Sequence, residues 1–195
     1  DGDPVKLRRL GSAGRATTAV EVRIVDDDDR PVPPDTLGEI VVRGDLVMKG
    51  YWNKPEATAE TLRGGWLHTG DIGSLDPDGY LYITDRKKDM IISGGSNIYP
   101  REIEEVICQH PAVFEVSVIG VPDDKWGEAV KALVVLRPGE SATEALLIEH
   151  CKRHLASYKK PQSVEFLPAL PKNAYGKVLK RELRDRYWAD RRRKV

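Results

Sequence analysis

Three stretches of this sequence combine titratable side chains with glycines in a way that folding alone does not demand. The first is Gly65-Trp66-Leu67-His68-Thr69-Gly70-Asp71-Ile72-Gly73. Glycines flanking Asp71 let a ligand approach the backbone, and the carboxylate can accept two hydrogen bonds from a diol such as ribose. Thr-Gly-Asp also serves as an ordinary turn. The second runs Ile83-Thr84-Asp85-Arg86-Lys87-Lys88-Asp89-Met90-Ile91-Ile92-Ser93-Gly94-Gly95-Ser96-Asn97. Arg86 can pair with a phosphate through its planar guanidinium, and Gly94 and Gly95 leave room for a narrow ligand to pass the backbone. A solvated linker followed by a hairpin turn fits the same residues. The third, Leu170-Pro171-Lys172-Asn173-Ala174-Tyr175-Gly176-Lys177-Val178-Leu179-Lys180-Arg181, sets Lys177 beside a glycine in a loop that opens a helix. There an ammonium can face a developing negative charge, although a Gly-Lys pair is equally at home on a plain surface.

The elements that must position these segments fall into two groups. Up to about residue 85 the text reads as strands and turns. Val20 to Val25 and Glu39 to Arg43 are strands separated by an acidic loop from Asp26 to Asp35, and Pro55 starts a short helix. The turn Asp76-Pro77-Asp78-Gly79 leads into the strand Tyr80 to Ile83, since proline presets φ and glycine tolerates positive φ. Strands so spaced suggest a small barrel or sandwich. Beyond Arg86, Ile103, Val106, Ile107 and His110 mark an amphipathic helix behind Pro100. Val113 to Val121, ended by Pro122, and Ala129 to Leu136 are strands. Ala145, Leu146, Ile148, Cys151 and Leu155 trace a second helix, Val164 to Leu167 a third strand, and a basic helix starts near Val178. The fold class expected is α+β: a small β-rich subdomain, then a compact unit with a small sheet and about three helices.

Composition narrows the field. The 195 residues carry 31 Lys plus Arg against 31 Asp plus Glu, a net charge of zero that offers no general surface for nucleic acid or anionic membrane. The run Arg191, Arg192, Arg193, Lys194 reads as a solvated tail or a weak phosphate contact. Cys108 and Cys151 lack metal-type spacing and fall inside helical apolar patterns, as expected of buried free thiols in a reducing cytoplasm. No apolar run approaches the roughly 20 residues of a membrane span, and no signal peptide is visible.

In this order and spacing, the three segments resemble the later core motifs of the adenylate-forming superfamily of acyl-CoA synthetases, peptide-synthetase adenylation domains and firefly-type luciferases. The resemblance includes Gly50-Tyr51-Trp52-Asn53-Lys54-Pro55-Glu56-Ala57-Thr58, whose role is mainly structural, and covers nearly the whole chain. It implies that Asp71 binds the ribose hydroxyls of ATP, with Arg86 and Ile83 also at the nucleotide. It implies a hinge at Lys88, a lysine for adenylation at Lys177, and a pantetheine tunnel beside Ser93, Gly94 and Gly95. Residues 1–85 would then end a large amino-terminal domain and 86–195 form a mobile lid. ATP and coenzyme A are the implied co-substrates of a small carboxylic acid, with no metal site in these residues.

One lid with two working faces suits the chemistry. Attack of a carboxylate on the α-phosphate builds charge that a fixed ammonium stabilises, whereas a thiol arriving later needs a tunnel. The family's Gly/Ser/Thr-rich phosphate loop and Tyr-Gly-x-Thr-Glu segment are absent. They are expected before Asp1 with the acyl pocket and most of the Mg2+ contacts, so the chain reads as a carboxy-terminal fragment inactive alone. Peptide-synthetase domains usually carry Gln-Val-Lys-Ile-Arg-Gly where Met90-Ile91-Ile92-Ser93-Gly94-Gly95 stands, and luciferases usually carry a lysine where Ile92 stands. Both departures point to the CoA-ligase branch, with fatty acids preferred to aryl acids and a non-catalytic interaction module as the alternative.

Overall fold

The computed structural model describes residues 4–189, so the basic run Arg191 to Lys194 lies outside the described residues. The chain divides into two compact units, the first ending at Lys87 and the second beginning at Lys88.

The first unit holds strands β1 (Gly14–Arg15), β2 (Val20–Val25), β3 (Gly38–Gly44), β4 (Leu67–Leu75) and β5 (Tyr80–Arg86), with helices α1 (Pro4–Leu10) and α2 (Pro55–Thr61). The strands form one antiparallel sheet in the order β1-β5-β4-β3-β2. Among the described residues the sheet is open rather than the barrel or sandwich expected from strand spacing, because its outermost strands, β1 of two residues and β2, do not pair with each other. Ile24, Val25, Ile40, Val41 and Ile72 are its buried apolar residues. The β4–β5 turn is built by Asp76, whose Oδ1 accepts the backbone N–H groups of Asp78 at 3.0 Å and Tyr80 at 2.8 Å. Burial alone would raise the Asp76 carboxyl pKa, but these donors outweigh it and hold the group below its ordinary value.

The second unit contains β6 (Ile91–Ser93), β7 (Ser96–Ile98), α3 (Pro100–Cys108), β8 (Val113–Asp123), β9 (Gly127–Leu136), α4 (Glu144–His154), β10 (Ser163–Phe166) and α5 (Lys180–Trp188). Central β9 pairs antiparallel with β8 along its whole length and parallel with β10. A single pairing, Ser93 with Gly127, attaches the β6–β7 hairpin to β9. Alternation along β8 and β9 sends Val118, Ala132 and Val134 into one core with Ile103, Ile107 and Leu147 of α3 and α4. Ile119, Leu133 and Val135 join Leu183 of α5 in a second core. Each fully buried leucine or isoleucine contributes about 1.5–3 kcal/mol.

Several expectations shift. Strand β8 runs through Pro122 to Asp123, and among the described residues β9 is its only sheet neighbour, so the missing N–H sits on an edge strand where proline is tolerated. On α4 the buried positions are Leu147 and Cys151, four residues apart, while Leu146 is 48% exposed one position out of phase. Cys151 is buried as expected, but Cys108 is exposed, because α3 turns Ile103, Val106 and Ile107 inward and carries the next position round to solvent. The last helix begins at Lys180, since residues up to Leu179 are held in a loop.

Candidate functional site

In the first unit, the register of β4 against β5 sets Asp71 opposite Arg86, and Nε of Arg86 lies 2.7 Å from Oδ1 of Asp71. Both side chains reach solvent. Thr69 Oγ1 accepts the Asp71 N–H at 3.1 Å and donates to the Ile40 carbonyl at 2.8 Å, which stiffens the turn before the carboxylate. Arg86 can keep one carboxylate oxygen while the other accepts from a diol, and its remaining donors suit a phosphate. Ile83 on β5 lies opposite Gly73 and is 45% exposed, an apolar surface on the strand that carries Arg86.

The chain crosses from one unit to the next at Lys87 and Lys88. Lys87 Nζ meets Asp27 at 3.0 Å and Glu39 at 3.2 Å within the first unit. In the second, Arg184 of α5 donates to the Lys88 carbonyl at 3.1 Å and to Asp89 at 2.8 Å. The two residues at the boundary are thus each anchored to their own unit.

Ser93, Gly94 and Gly95 share the β6–β7 turn. Gly94 and Gly95 have φ of 57° and 81°, the paired left-handed conformations of a tight hairpin turn. A hairpin turn therefore forms in this segment, a geometry that both readings of its glycines share. A methyl group on Gly94 would approach Cε3 of Trp126 at 2.6 Å, whereas one on Gly95 would meet nothing within 4 Å. Gly94 is thus matched to an indole ring that covers it, and Gly95 is the open position. Beside the turn lies a hollow of about 280 Å³ lined by Ser93, Ser96, Trp126, Tyr158 and Lys160. Trp126, Tyr158 and Lys160 thus bring two aromatic rings and a lysine to one place, and Lys125 Nζ lies over the Trp126 ring, 4.6 Å from its centroid.

Lys177 is exposed in the loop before α5. Asn173 Oδ1 accepts the N–H groups of Tyr175 at 3.0 Å and Lys177 at 2.9 Å, and the Asn173 N–H donates to the Lys177 carbonyl at 2.9 Å. Lys172 and Lys180 on either side pair with Glu115 and Glu104. The backbone at Lys177 is therefore fixed while its ammonium extends from the loop. Among the described residues no group of three or more His, Cys, Asp or Glu is arranged to hold a metal ion.

Sequence reasoning passed over Trp126, Tyr158 and Lys160. Their signal was modest: exposed aromatic and basic residues in the loop segments Asp124-Lys125-Trp126-Gly127 and Ser157-Tyr158-Lys159-Lys160.

Comparison with known proteins gives a consistent set. The family described as AMP-binding enzyme C-terminal domain matches residues 102–177, and that described as AMP-binding enzyme matches residues 1–52. A long-chain-fatty-acid–CoA ligase of Escherichia coli is 53% identical over 175 residues, covering 90% of this chain and 31% of the relative. A feruloyl-CoA synthase of Amycolatopsis is 50% identical over 92% of this chain and 36% of the relative. Among solved structures, o-succinylbenzoate CoA synthetase from Bacillus subtilis with its acyl-adenylate OSB-AMP has a TM-score of 0.86 and 43% identity, over 93% of this chain and 37% of that one. ATP-bound MatB from Rhodopseudomonas palustris gives a TM-score of 0.86 and 41% identity over 92% of this chain and 36% of that one. The chain spans about a third of the length of the curated relatives it matches.

Proposed function

Because the chain belongs to the AMP-binding enzymes, we propose that it is the carboxy-terminal part of an ATP-dependent acid–CoA ligase. In the first half-reaction a carboxylate oxygen attacks the α-phosphorus and pyrophosphate leaves. In the second the sulfur of CoA attacks the acyl carbon, AMP leaves, and the thiol proton passes to solvent. The observation that carries this reading is the presence in one chain of a carboxylate–guanidinium pair, a lysine-bearing loop and an open glycine turn.

Each part has a role. Asp71 holds the ribose diol, Arg86 contacts the nucleotide, and the exposed face of Ile83 lies against it. Lys177 stabilises charge building on the α-phosphate and the entering carboxylate. Gly95 leaves space for the pantetheine arm, with Ser93 and Gly94 beside it. The hollow next to the turn suits the nucleotide end of CoA, since Trp126 and Tyr158 offer stacking faces and Lys160 a phosphate partner. Rotation about Lys88 of the unit that follows it, relative to the preceding large domain, exchanges Lys177 for the glycine turn between the half-reactions. Magnesium, held mainly by the preceding large domain, would neutralise the leaving pyrophosphate.

The acid is a fatty acid in this proposal. A ligase of aromatic acids is the second reading, supported by the near-equal identity of the feruloyl-CoA synthase. Carboxylate-dependent pyrophosphate release by the full-length protein, measured across fatty and aromatic acids with and without CoA, separates them. Turnover with long-chain acids and thioester formation on adding CoA is the expected result. Turnover confined to aromatic acids selects the second reading, and no turnover with either class leaves a non-catalytic module.

A further inference from the structure

Glu39 at the start of β3 is a charged residue in a buried position, only 6% exposed. Its Oε1 accepts the backbone N–H of Gly70 at 3.2 Å, one residue before Asp71. Its Oε2 accepts from Nζ of Lys87 at 3.2 Å, one residue after Arg86. One carboxylate therefore ties together the two strands at the positions that bracket the Asp71–Arg86 pair. His68 Nδ1 at 3.4 Å and Arg63 at 3.6 Å face the same Oε2, and Asp27 holds Lys87 from its other side at 3.0 Å. A carboxylate buried for packing alone would be a poor choice, since removing a charge from water is costly unless partners repay it. Burial is the largest single influence on both Glu39 and Lys87 and works against their charges. Their attraction for each other, with His68 and Asp27, outweighs it, so Glu39 titrates below its ordinary value and Lys87 above.

We propose that Glu39 is a positioning residue for nucleotide binding: by gripping Gly70 and Lys87 it fixes the spacing and orientation of Asp71 and Arg86. The inference rests on the nucleotide role assigned to that pair. Gly70 sits at φ of +69° with open space around it, so its backbone has freedom that the bond to Glu39 removes. Lys87 is the last residue of the first unit, so the same carboxylate also anchors the chain where it leaves β5.

The test is steady-state kinetics on the full-length enzyme with Glu39→Ala, Lys87→Met, Asp71→Ala and the Glu39→Ala/Asp71→Ala double variant. Glu39→Ala is expected to raise the KM for ATP about 10-fold, the usual scale for losing an orienting partner, with the KM for the acid within about 2-fold of wild type. Lys87→Met removes one arm of the grip and raises it about 3-fold. In the Asp71→Ala background the Glu39 change adds less than about 2-fold, because its effect runs through that pair. Should the alanine variant not fold, Glu39→Gln keeps the shape and an acceptor for Gly70 but loses the charge facing Lys87. It is expected to raise the KM for ATP about 3-fold, and an unchanged value overturns the proposal. A fall in kcat with no change in the KM for ATP, or full multiplication with Asp71→Ala, reduces Glu39 to a structural residue. An Asp71→Ala variant with unaltered KM for ATP removes the nucleotide assignment itself and this inference with it.

Discussion

Replacing Gly94 by alanine should damage CoA use while sparing adenylation. At φ of 57° any L side chain is strained, at a cost of roughly 1–2 kcal/mol. Gly95, at 81°, carries a similar penalty on substitution. The two differ in what the added methyl meets: Trp126 Cε3 at 2.6 Å in one case and open space in the other. Trp126 is 46% exposed, so its ring can swing outward and relieve the clash without unpairing the hairpin. That movement withdraws one ring from the hollow, and loss of an aromatic stacking partner is worth about 1–3 kcal/mol, or roughly 5- to 150-fold in affinity. Thioester formation from supplied acyl-adenylate, titrated with CoA, should therefore show a KM for CoA raised at least about 5-fold. Pyrophosphate release without CoA should stay within about 2-fold of wild type. A Gly94→Ala protein that loses the expected stability yet keeps its KM for CoA refutes the assignment of the hollow to CoA.

Three further outcomes follow from burial and charge. Leu147→Ala removes a fully buried side chain from the core between the α3–α4 layer and the sheet, and should lower unfolding free energy by about 2–5 kcal/mol in urea titrations. A thiol reagent at mildly alkaline pH should modify Cys108 in the native protein and both cysteines in urea, because burial pushes the Cys151 thiol up to about 11 and keeps it protonated and covered. Double labelling of the folded protein would contradict that. Glu39 has a lowered pKa in the folded state, so its contribution to stability is complete above the unfolded value of about 4.3 and is lost as pH falls through the folded value. Urea midpoints across that acid window should fall less steeply for Glu39→Gln than for wild type.

Much of the architecture was legible because burial imposes a period. Strands β2, β3, β8 and β9 alternate or run continuously apolar, and α3 opens on Pro100 with Ile103, Val106 and Ile107 along one face. Strand β4 was not legible, since His68-Thr69-Gly70-Asp71 reads as a loop, and only pairing with β3 and β5 makes it a strand. Leu146 misled because an exposed leucine beside a buried one cannot be told apart until the helix docks. For the site, residue types were visible one at a time, whereas the Asp71–Arg86 pair depends on strand register. Glu39 looked like an ordinary strand residue, its partners Gly70 and Lys87 lying 31 and 48 positions away. Trp126, Tyr158 and Lys160 likewise gain meaning only when the fold gathers them beside Gly94.

The central claim divides labour between Lys177 and the glycine turn, and Lys177→Ala in the full-length enzyme tests it. The residue is exposed and its loop is held by backbone contacts to Asn173, so the change should leave stability within about 0.5 kcal/mol. Adenylation, followed as carboxylate-dependent pyrophosphate release, should fall by about two to three orders of magnitude. Thioester formation from supplied acyl-adenylate should remain within about 3-fold of wild type. Equal loss in both half-reactions would contradict the account.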